Sequence, residues 1–183
     1  MNTSIKNISK VLATAALLAS AGFAQAGTAT SDLGVTASIT AKCTISANAV
    51  EFGSYDPVVT NGVNGSNITN NGTVVVACTK NATGLWVGLG VGSNAAGGVR
   101  NMIGGTHGDS LAYTLVQPSA NTPGASCPST GGTAWQNTSA TALNLETSPG
   151  YATRTYKVCG EIAKAQDKSV DTYTDTVVAT INF

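Results

Sequence analysis

The chain is poor in the residues that build chemical sites. Its 183 residues include a single histidine, His107, and charged residues make up only 10% of the total. Zinc sites in proteins need Cys and His ligands at short, regular spacing, and the four cysteines of this chain form no C-x-x-C pair. We therefore expect no metal site and no cofactor.

Basic residues are also few, and they occur singly along the chain. Nine Lys and Arg residues balance nine Asp and Glu residues. A nucleic-acid partner would require a clustered basic surface, because contacts to phosphate dominate that kind of affinity. A nucleotide would require a glycine-rich phosphate-binding motif, which the sequence lacks. We therefore expect neither nucleic acid nor nucleotide as a partner.

Only one long apolar stretch is present, and it lies at the amino terminus. Lys6 and Lys10 precede the run VLATAALLASAGFA, which leads into the small-residue sequence AQA at residues 24–26. A charged start, a short apolar run and an A-x-A ending are typical of a secretory signal peptide. The run is shorter than the roughly 20 residues that a membrane anchor needs. We predict that residues 1–26 are a signal peptide and that the protein is exported.

Strand-forming and turn-forming sequence is abundant. Apolar residues alternate with small polar ones in SDLGVTASITAKC, and a similar period recurs in GLWVGLGVG, LAYTLVQ and YTDTVVATINF. A period of two residues indicates β-strands. The stretches NGVNGSNITNNG and PSANTPGASCPSTGGTA are rich in Asn, Gly, Ser and Pro, which favours loops. Seven or eight short strands, with no helix after the leader, predict an all-β sandwich.

All four cysteines follow the predicted leader: Cys43, Cys78, Cys127 and Cys159. In an oxidising compartment an even number of cysteines normally pairs, so we expect two disulfides. Three connectivities are possible. If neighbours along the chain pair, the two closed loops contain about 30 to 35 residues, and each bond stabilises the fold by roughly 3 to 4 kcal/mol.

One short motif copies a hydrolase signature. The sequence GDSL spans residues 108–111, directly after His107. A nucleophilic Ser110 would need a His base within hydrogen-bond reach and a carboxylate behind that base, and residues three apart on a strand or turn rarely meet this requirement. No spacing selects a catalytic pair among the candidate acids Asp109, Glu146, Asp171 and Asp175. We therefore predict no enzymatic activity and no catalytic residue.

The chain ends on a strand pattern with no polar tail. The last eleven residues, YTDTVVATINF, run to Phe183 at the carboxyl terminus. An exposed strand edge is a template for another chain, and soluble proteins usually disguise such an edge. Strongly patterned strands therefore stand at both ends of the exported chain, and each of them is a candidate for pairing with a partner.

Several stretches together resemble the spore coat protein U domain family, which includes subunits of archaic (Csu-type) chaperone-usher pili. The similarity runs from about Val35 to Phe183 and rests on an ordered series of motifs rather than on one of them. The matching stretches are CTISANAVEFGSYDP, VVACT, RNM at residues 100–102, LAYTLVQ and YTDTVVATINF.

The resemblance implies an immunoglobulin-like β-sandwich that lacks its last strand. A periplasmic chaperone would fill the open groove with a strand of its own, and at the outer-membrane usher the amino-terminal donor strand of another subunit would replace it. The resemblance also implies a disulfide between Cys43 and Cys78. The implied groove residues on the terminal strand are Val177, Ala179, Ile181 and Phe183, and the implied donor residues are Leu33, Val35, Ala37 and Ile39.

The resemblance and the strand patterns together predict three parts. They are a signal peptide at 1–26, a donor segment at 27–39, and an incomplete β-sandwich domain at 40–183. One donor strand and one groove in each chain give a head-to-tail contact that does not close. The predicted function is a pilin of a cell-surface fimbria, made of other copies or related pilins, that supports adhesion and biofilm formation. The alternative is a non-polymerising secreted coat or surface protein that binds a ligand.

Overall fold

The computed structural model describes residues 26–183. Residues 1–25, which hold nearly all of the predicted signal peptide, lie outside the described residues. Residues 26–37 are exposed and carry no regular secondary structure, and residues 38–183 form one compact unit. The alternating sequence around Val35 was expected to form a strand, but the described chain contains no strand before Cys43. A strand needs a neighbour that satisfies its backbone groups, and this segment pairs with no strand among the described residues.

Nine strands and no helix form the described part of the chain. All of the paired strands are antiparallel. The strands are β1 (Cys43–Asn48), β2 (Ile68–Cys78), β3 (Trp86–Leu89), β4 (Arg100–Gly104), β5 (Ser110–Val116), β6 (Leu143–Asn144), β7 (Arg154–Ile162), β8 (Tyr173–Thr174) and β9 (Ala179–Asn182).

The strands form two sheets. Six of them make one sheet in the order β1-β2-β7-β5-β4-β8, and three make the other in the order β6-β3-β9. Alternation on β2 and β7 places one face of each strand in the core, where Val74 and Val76 pair in register with Tyr156 and Arg154. The second sheet contributes Val87 and other buried residues. The prediction of an all-β fold is confirmed, and the arrangement is consistent with an immunoglobulin-like sandwich.

Two large polar side chains connect the sheets. Arg100 on β4 is buried, and its Nη2 atom donates to the carbonyl oxygens of Leu89 at 3.1 Å and Trp135 at 2.6 Å. The Trp135 side chain is fully buried, and its Nε1 atom donates to the carbonyl oxygen of Val87 at 2.7 Å. These bonds satisfy polar groups that would be costly to bury without partners, and they hold the two sheets together at one end of the core.

The two disulfides join Cys43 to Cys78 and Cys127 to Cys159. The expectation of two disulfides is confirmed, and the bonds follow the neighbour pairing considered above. The first bond joins β1 to β2 at the start of their ladder. The second ties the long loop that follows β5 to β7, and Gly124 in that loop also donates its backbone N–H to Thr155 on β7 at 2.9 Å.

The observed strands differ from the sequence pattern in three places. Strand β2 begins at Ile68, inside the Asn-rich stretch expected to be a loop, because these residues pair with β7. Strand β4 was not expected at all. The terminal strand is divided into β8 and β9, with residues 175–178 between them. The division lies opposite Gly92, whose φ is +94°, and the Asp175 carboxylate occupies the space where a side chain at Gly92 would lie.

Candidate functional site

The candidate site is a gap between two strands that belong to different sheets. Strand β1 pairs with β2 on one side, and β9 pairs with β3 on one side. Their other edges are unpaired among the described residues, and the two strands approach each other with Cα atoms within 8 Å. Hydrogen-bonded strands lie about 4.7 to 4.9 Å apart, and no ladder joins β1 to β9. The molecule therefore has two unsatisfied strand edges bordering the same gap.

The register of β9 shows which of its backbone groups face the gap. Gly90 donates its N–H to the carbonyl oxygen of Val178 at 2.9 Å, and the pairing continues with Thr180 opposite Gly88. Antiparallel strands use alternate residues for their hydrogen-bonded pairs. The N–H and C=O groups that point away from β3 therefore belong to Val177, Ala179 and Ile181.

The same argument applies to β1. Thr79 donates its backbone N–H to the carbonyl oxygen of Lys42 at 2.9 Å, which makes Lys42 and Thr79 a hydrogen-bonded pair one step before the β1–β2 ladder. Alternation then directs the backbone groups of Cys43, Ile45 and Ala47 away from β2. Both borders of the gap thus offer alternate backbone donors and acceptors, which is what an added β-strand requires.

One cavity lies in this gap, and a second continues from it beyond the end of β1 and the start of β9, with shared lining residues. The second cavity has a volume of about 660 Å³ and lies between residues 50–57 and residues 168–175. The cavity in the gap has a volume of about 220 Å³ and lies between residues 47–50 and residues 175–179. Val50, Met102 and Asp175 line both cavities. We call the two cavities together the groove.

Core residues form the floor of the smaller cavity, whereas the lining of the larger cavity also includes polar and charged residues such as Lys168 and Asp171. Core residues from both sheets reach the smaller cavity, among them Leu89 from one sheet and Tyr113 and Val158 from the other. No strand of the described residues lies between β1 and β9 over these core residues, which are at most 6% exposed. The partly buried apolar residues that pack against the core include members of both walls: Cys43, Ile45, Val50, Phe52, Tyr55, Tyr173, Val177, Ala179 and Ile181.

One polar cluster fixes the start of the terminal strand at the groove. The Asp175 carboxylate accepts a hydrogen bond from the Tyr113 hydroxyl at 2.6 Å and from the backbone and side-chain nitrogens of Asn94 at 3.1 and 3.2 Å. Burial raises the pKa of Tyr113, and its bond to the Asp175 carboxylate raises the pKa further. Tyr113 therefore stays a neutral donor at physiological pH, and Asp175 stays in place at the point where the two cavities meet.

The opposite wall is held by Tyr55. Its hydroxyl donates to the carbonyl oxygen of Ala163 at 2.9 Å and accepts the backbone N–H of Gln166 at 3.0 Å. Asp56, the next residue, accepts the backbone N–H groups of Val58 and Val59 at 2.9 and 3.1 Å. These bonds lower the pKa of Asp56, with a bond from Thr60 as the largest cause, and they set the shape of the loop after the wall.

The implied groove residues in and around β9 differ in their burial. Val177, Ala179 and Ile181 are partly buried against the core. Phe183 follows the end of β9 and is 56% exposed, so it does not face inward in the free chain. The implied donor residues are strongly exposed: Leu33, Val35 and Ile39 are 86 to 88% accessible to solvent, and Ala37 is also exposed.

Two residues in and next to the hydrolase-like motif, His107 and Asp109, contact residues of the segment before β8. His107 lies next to Asp171, with 3.5 Å between Nδ1 and Oδ2. Asp109 accepts the backbone N–H of Ser169 at 2.9 Å, and hydrogen bonds from that residue lower the pKa of Asp109. Ser110 is exposed at the start of β5 and has no hydrogen bond to His107 in the described part of the chain.

The other candidate acids are not assembled into one site. Glu146 accepts a hydrogen bond from Arg154 through its backbone carbonyl oxygen, while Asp175 contacts Tyr113. Within residues 26–183, no group of three or more His, Cys, Asp or Glu side chains has the arrangement of a metal site. The same residues also contain no helix that is long and apolar enough to cross a membrane.

The fold and groove define an all-β protein with an open sandwich edge, and comparison with known proteins gives its family. The model of the Spore Coat Protein U domain family matches residues 29–180, and this chain belongs to that family. Protein U of Myxococcus xanthus is 34% identical over 192 residues, and the alignment covers all of both chains.

A solved structure shares the fold. It is the CsuC-CsuE chaperone-tip adhesion subunit pre-assembly complex from the archaic chaperone-usher Csu pili of Acinetobacter baumannii. The similarity has a TM-score of 0.50 at 20% sequence identity, and it covers 79% of this chain and 40% of that one. The chain therefore spans less than half the length of the solved chain that it matches.

Proposed function

We propose that this protein is a structural pilin that polymerises by donor-strand exchange. In this proposal, the groove between β1 and β9 is the acceptor, and residues 27–39 are the strand donated to the groove of another subunit. The observation that supports it most directly is that two unpaired strand edges, with alternate backbone groups available, border an apolar opening into the core. A strand inserted there would satisfy both edges and cover the core at the same time.

The dimensions of the gap support strand insertion after a small opening. A strand that pairs on both sides needs its neighbours about 9.5 Å apart, which is twice the normal strand spacing. The Cα atoms of β1 and β9 come within 8 Å in places, so insertion has to widen the groove there. A groove that narrows when empty also reduces the apolar surface exposed before assembly.

The donor segment has the pattern that such a groove requires. Leu33, Val35, Ala37 and Ile39 repeat every second residue, and the polar residues Thr36 and Ser38 lie between them. On an extended strand these two sets point to opposite faces, so the apolar set enters the groove while the polar set faces solvent. The strong exposure of the apolar set in the free chain leaves it available to a partner.

The proposal extends to partners and location. A subunit with an open core needs protection before assembly, because unpaired edges promote aggregation. A periplasmic chaperone that lends a strand, and an outer-membrane usher where donor strands replace it, would meet that need. The similarity to the Csu complex supports this scheme, and a signal peptide at residues 1–26 would start the export. The assembled fimbria at the cell surface would support adhesion and biofilm formation.

The alternative is a secreted coat or surface protein that binds a ligand without polymerising. The name of the matching family, Spore Coat Protein U domain, supports this alternative, and the match to Protein U of M. xanthus covers the whole chain. The two functions differ in one property that can be measured directly. A polymerising subunit must accept a donor strand from outside its own chain, and a coat protein with a complete fold has no such requirement.

The test measures binding of a labelled peptide spanning residues 27–39 to the exported chain. The acceptor carries Val35→Asp in its own donor segment, so that it cannot polymerise and its groove stays free. We expect saturable binding and a higher melting temperature, because a ligand that binds only the folded state stabilises it by about 2.7 kcal/mol at a hundredfold excess over Kd. An acceptor that melts cooperatively at high temperature and ignores the peptide would support the coat-protein alternative.

Matched substitutions test the faces of both strands. In the peptide, Val35→Asp should abolish binding and Thr36→Asp should preserve it. In the acceptor, Val177→Asp should abolish binding, whereas Val178→Asp should not, because the side chain of Val178 is 67% exposed on the other face of the same strand. Equal effects of the two substitutions in either pair would contradict insertion in the proposed register.

A further inference from the structure

A short stretch before β1 is held in line with that strand by Thr79. Lys42 donates its backbone N–H to the Thr79 side-chain oxygen at 3.0 Å, and Thr79 returns a backbone hydrogen bond to the Lys42 carbonyl oxygen at 2.9 Å. The Thr79 hydroxyl also lies 3.2 Å from the Lys42 carbonyl oxygen and 3.4 Å from that of Thr40. Residues 40–42 therefore extend the edge of the sheet instead of forming a turn.

The proposed donor segment, residues 27–39, lies only a few residues along the chain from β1, which borders the groove of the same chain. β1 borders the groove, and only residues 40–42 separate β1 from Ile39. If these three residues formed a hairpin loop, residues 33–39 could lie along the free edge of β1 in the same chain. A segment on a short linker has an effective concentration in the millimolar range, so this internal strand would outcompete strands from other molecules.

The donor side chains must face the core, and this restricts the loop that could pair residues 33–39 with β1 of the same chain. Directly opposite residues on paired strands have side chains on the same face, and Cys43 and Ile45 face the core. The pairing of Ile39 with Cys43 keeps all four donor side chains in the paired strand and on that face, and it needs a loop of three residues. A two-residue loop would shift the register by one and turn every donor side chain to the wrong face.

The sequence disfavours that three-residue loop. Such loops combine a type I turn with a third residue at positive φ, which is normally Gly. The stretch from Val35 to Ser46, VTASITAKCTIS, contains no Gly, Asn, Asp or Pro. The required position is occupied by Lys42, and its backbone is engaged by Thr79.

We propose that Thr79 and this turn-free stretch keep the donor segment out of the groove of its own chain. The groove then stays available to a strand from another chain, and the segment stays available to another groove. This inference rests on the donor-strand function proposed above. Thr79 acts as a positioning residue, since it contacts neither the groove nor the donor side chains.

The test builds the missing turn into the exported chain. The variant Ala41→Asn, Lys42→Gly, Thr79→Val supplies the turn residues and removes the hydroxyl. We expect it to stay monomeric by light scattering at concentrations where the wild type associates. Both proteins are then titrated with the peptide spanning residues 27–39 at concentrations up to 0.1 mM. We expect the turn variant to bind the peptide with an apparent affinity at least about tenfold weaker than that of the Val35→Asp acceptor, because the internal strand competes at millimolar effective concentration.

Control variants separate self-insertion from damage to the fold. Adding Val35→Asp to the turn variant spoils the internal strand and should restore peptide binding, which a misfolded chain could not do. The variant Ala41→Asn, Lys42→Gly alone keeps the Thr79 hydroxyl and should fall between the wild type and the full variant. Thr79→Ser retains the hydroxyl and should behave like the wild type.

Two negative results have different meanings. The turn variant could bind the peptide and associate as well as the chain with the native stretch, or Val35→Asp could fail to restore its binding. Either result would overturn the proposed role of Thr79 and the turn-free stretch, but it would leave the proposed acceptor groove unaffected. If the Val35→Asp acceptor without the turn does not bind the peptide, the proposed donor-strand function fails, and this inference fails with it.

Discussion

Asp171 shows how single side chains shape one wall of the groove. Its carboxylate accepts the backbone N–H groups of Thr106 at 2.7 Å, His107 at 2.8 Å and Thr172 at 2.8 Å. The sequence marked Asp171 as a candidate acid, but its partners lie 64 and 65 residues earlier along the chain. No local pattern reveals such a contact, because it depends on how the strands pair.

The hydrogen bonds to Asp171 predict a loss of stability in acid. They favour the charged carboxylate and lower its pKa from 3.8 to about 2, with the bond from His107 as the largest cause. The folded-state pKa is depressed, so the stabilisation is complete above the unfolded value and is lost as the pH falls toward 2. Melting temperatures measured from pH 6 to pH 2 should show Asp171→Asn less stable than the wild type at pH 6, with the difference shrinking below pH 4.

Asp32 provides the control for this experiment. It lies in the exposed segment before β1, so Asp32→Asn should follow the wild-type curve at every pH. A constant difference between Asp171→Asn and the wild type down to pH 2 would show that the charge of Asp171 does not stabilise the wall.

At the scale of elements, the two disulfides hold different parts of the fold. Their cysteines are separated by 35 and 32 residues along the chain, so the chain-entropy estimate gives both bonds a similar value of roughly 3 to 4 kcal/mol. The Cys43–Cys78 bond fixes β1, one border of the groove. The Cys127–Cys159 bond fixes a loop that lines neither cavity.

Removal of either disulfide should therefore reduce the stability of the fold by a similar amount, whereas the two removals should differ in their effect on peptide binding. In the Val35→Asp acceptor, both double variants, Cys43→Ala with Cys78→Ala and Cys127→Ala with Cys159→Ala, should lower the free energy of unfolding by a similar amount. At a temperature where both stay folded, only the first should weaken binding of the donor peptide, measured by fluorescence anisotropy. Equal weakening in the two double variants would mean that the position of β1 does not control the groove.

The elements also show what a sequence pattern can and cannot predict. The strands β5 and β7 follow an alternation that is visible in LAYTLVQ and RTYKVCGEI, because each buries one regular face. The strand β4 was missed, since its buried residues include Arg100 and Asn101. A buried arginine is recognised only when its partners across the core, such as the carbonyl oxygen of Trp135, are known.

At the scale of the whole molecule, the proposed donor strand and groove make each chain a ligand for other copies. Its melting temperature should therefore rise with protein concentration. A hundredfold increase above the dissociation constant adds about 2.7 kcal/mol, which corresponds to roughly 5 to 10 °C for a domain of this size. Calorimetry over that range should show the shift for the wild type and for Thr36→Asp, and Val35→Asp should remove it. A melting temperature independent of concentration in the wild type would argue against self-association.

The topology of the whole molecule explains why the sequence predicted the groove only through the family resemblance. The segments around Val35 and Val177 have the same alternating pattern, yet only the second continues into a strand paired within the chain. A strand-forming pattern predicts that a segment fits a half-buried surface. It does not predict which strand will lie next to that segment. Which edge stays unpaired depends on contacts between distant residues, and these follow from the topology.

The position of Cys43 has a mechanical consequence for the proposed filament. Tension along the filament would enter each subunit through residues 27–42 and would reach Cys43, the first residue of β1. At that residue the disulfide transmits the force covalently to Cys78 on β2, which is paired on both sides within the larger sheet. The hydrogen bonds of β1 beyond Cys43 are then spared from being peeled one after another. Extension would instead shear the inserted strand along both of its borders, where many hydrogen bonds share the force.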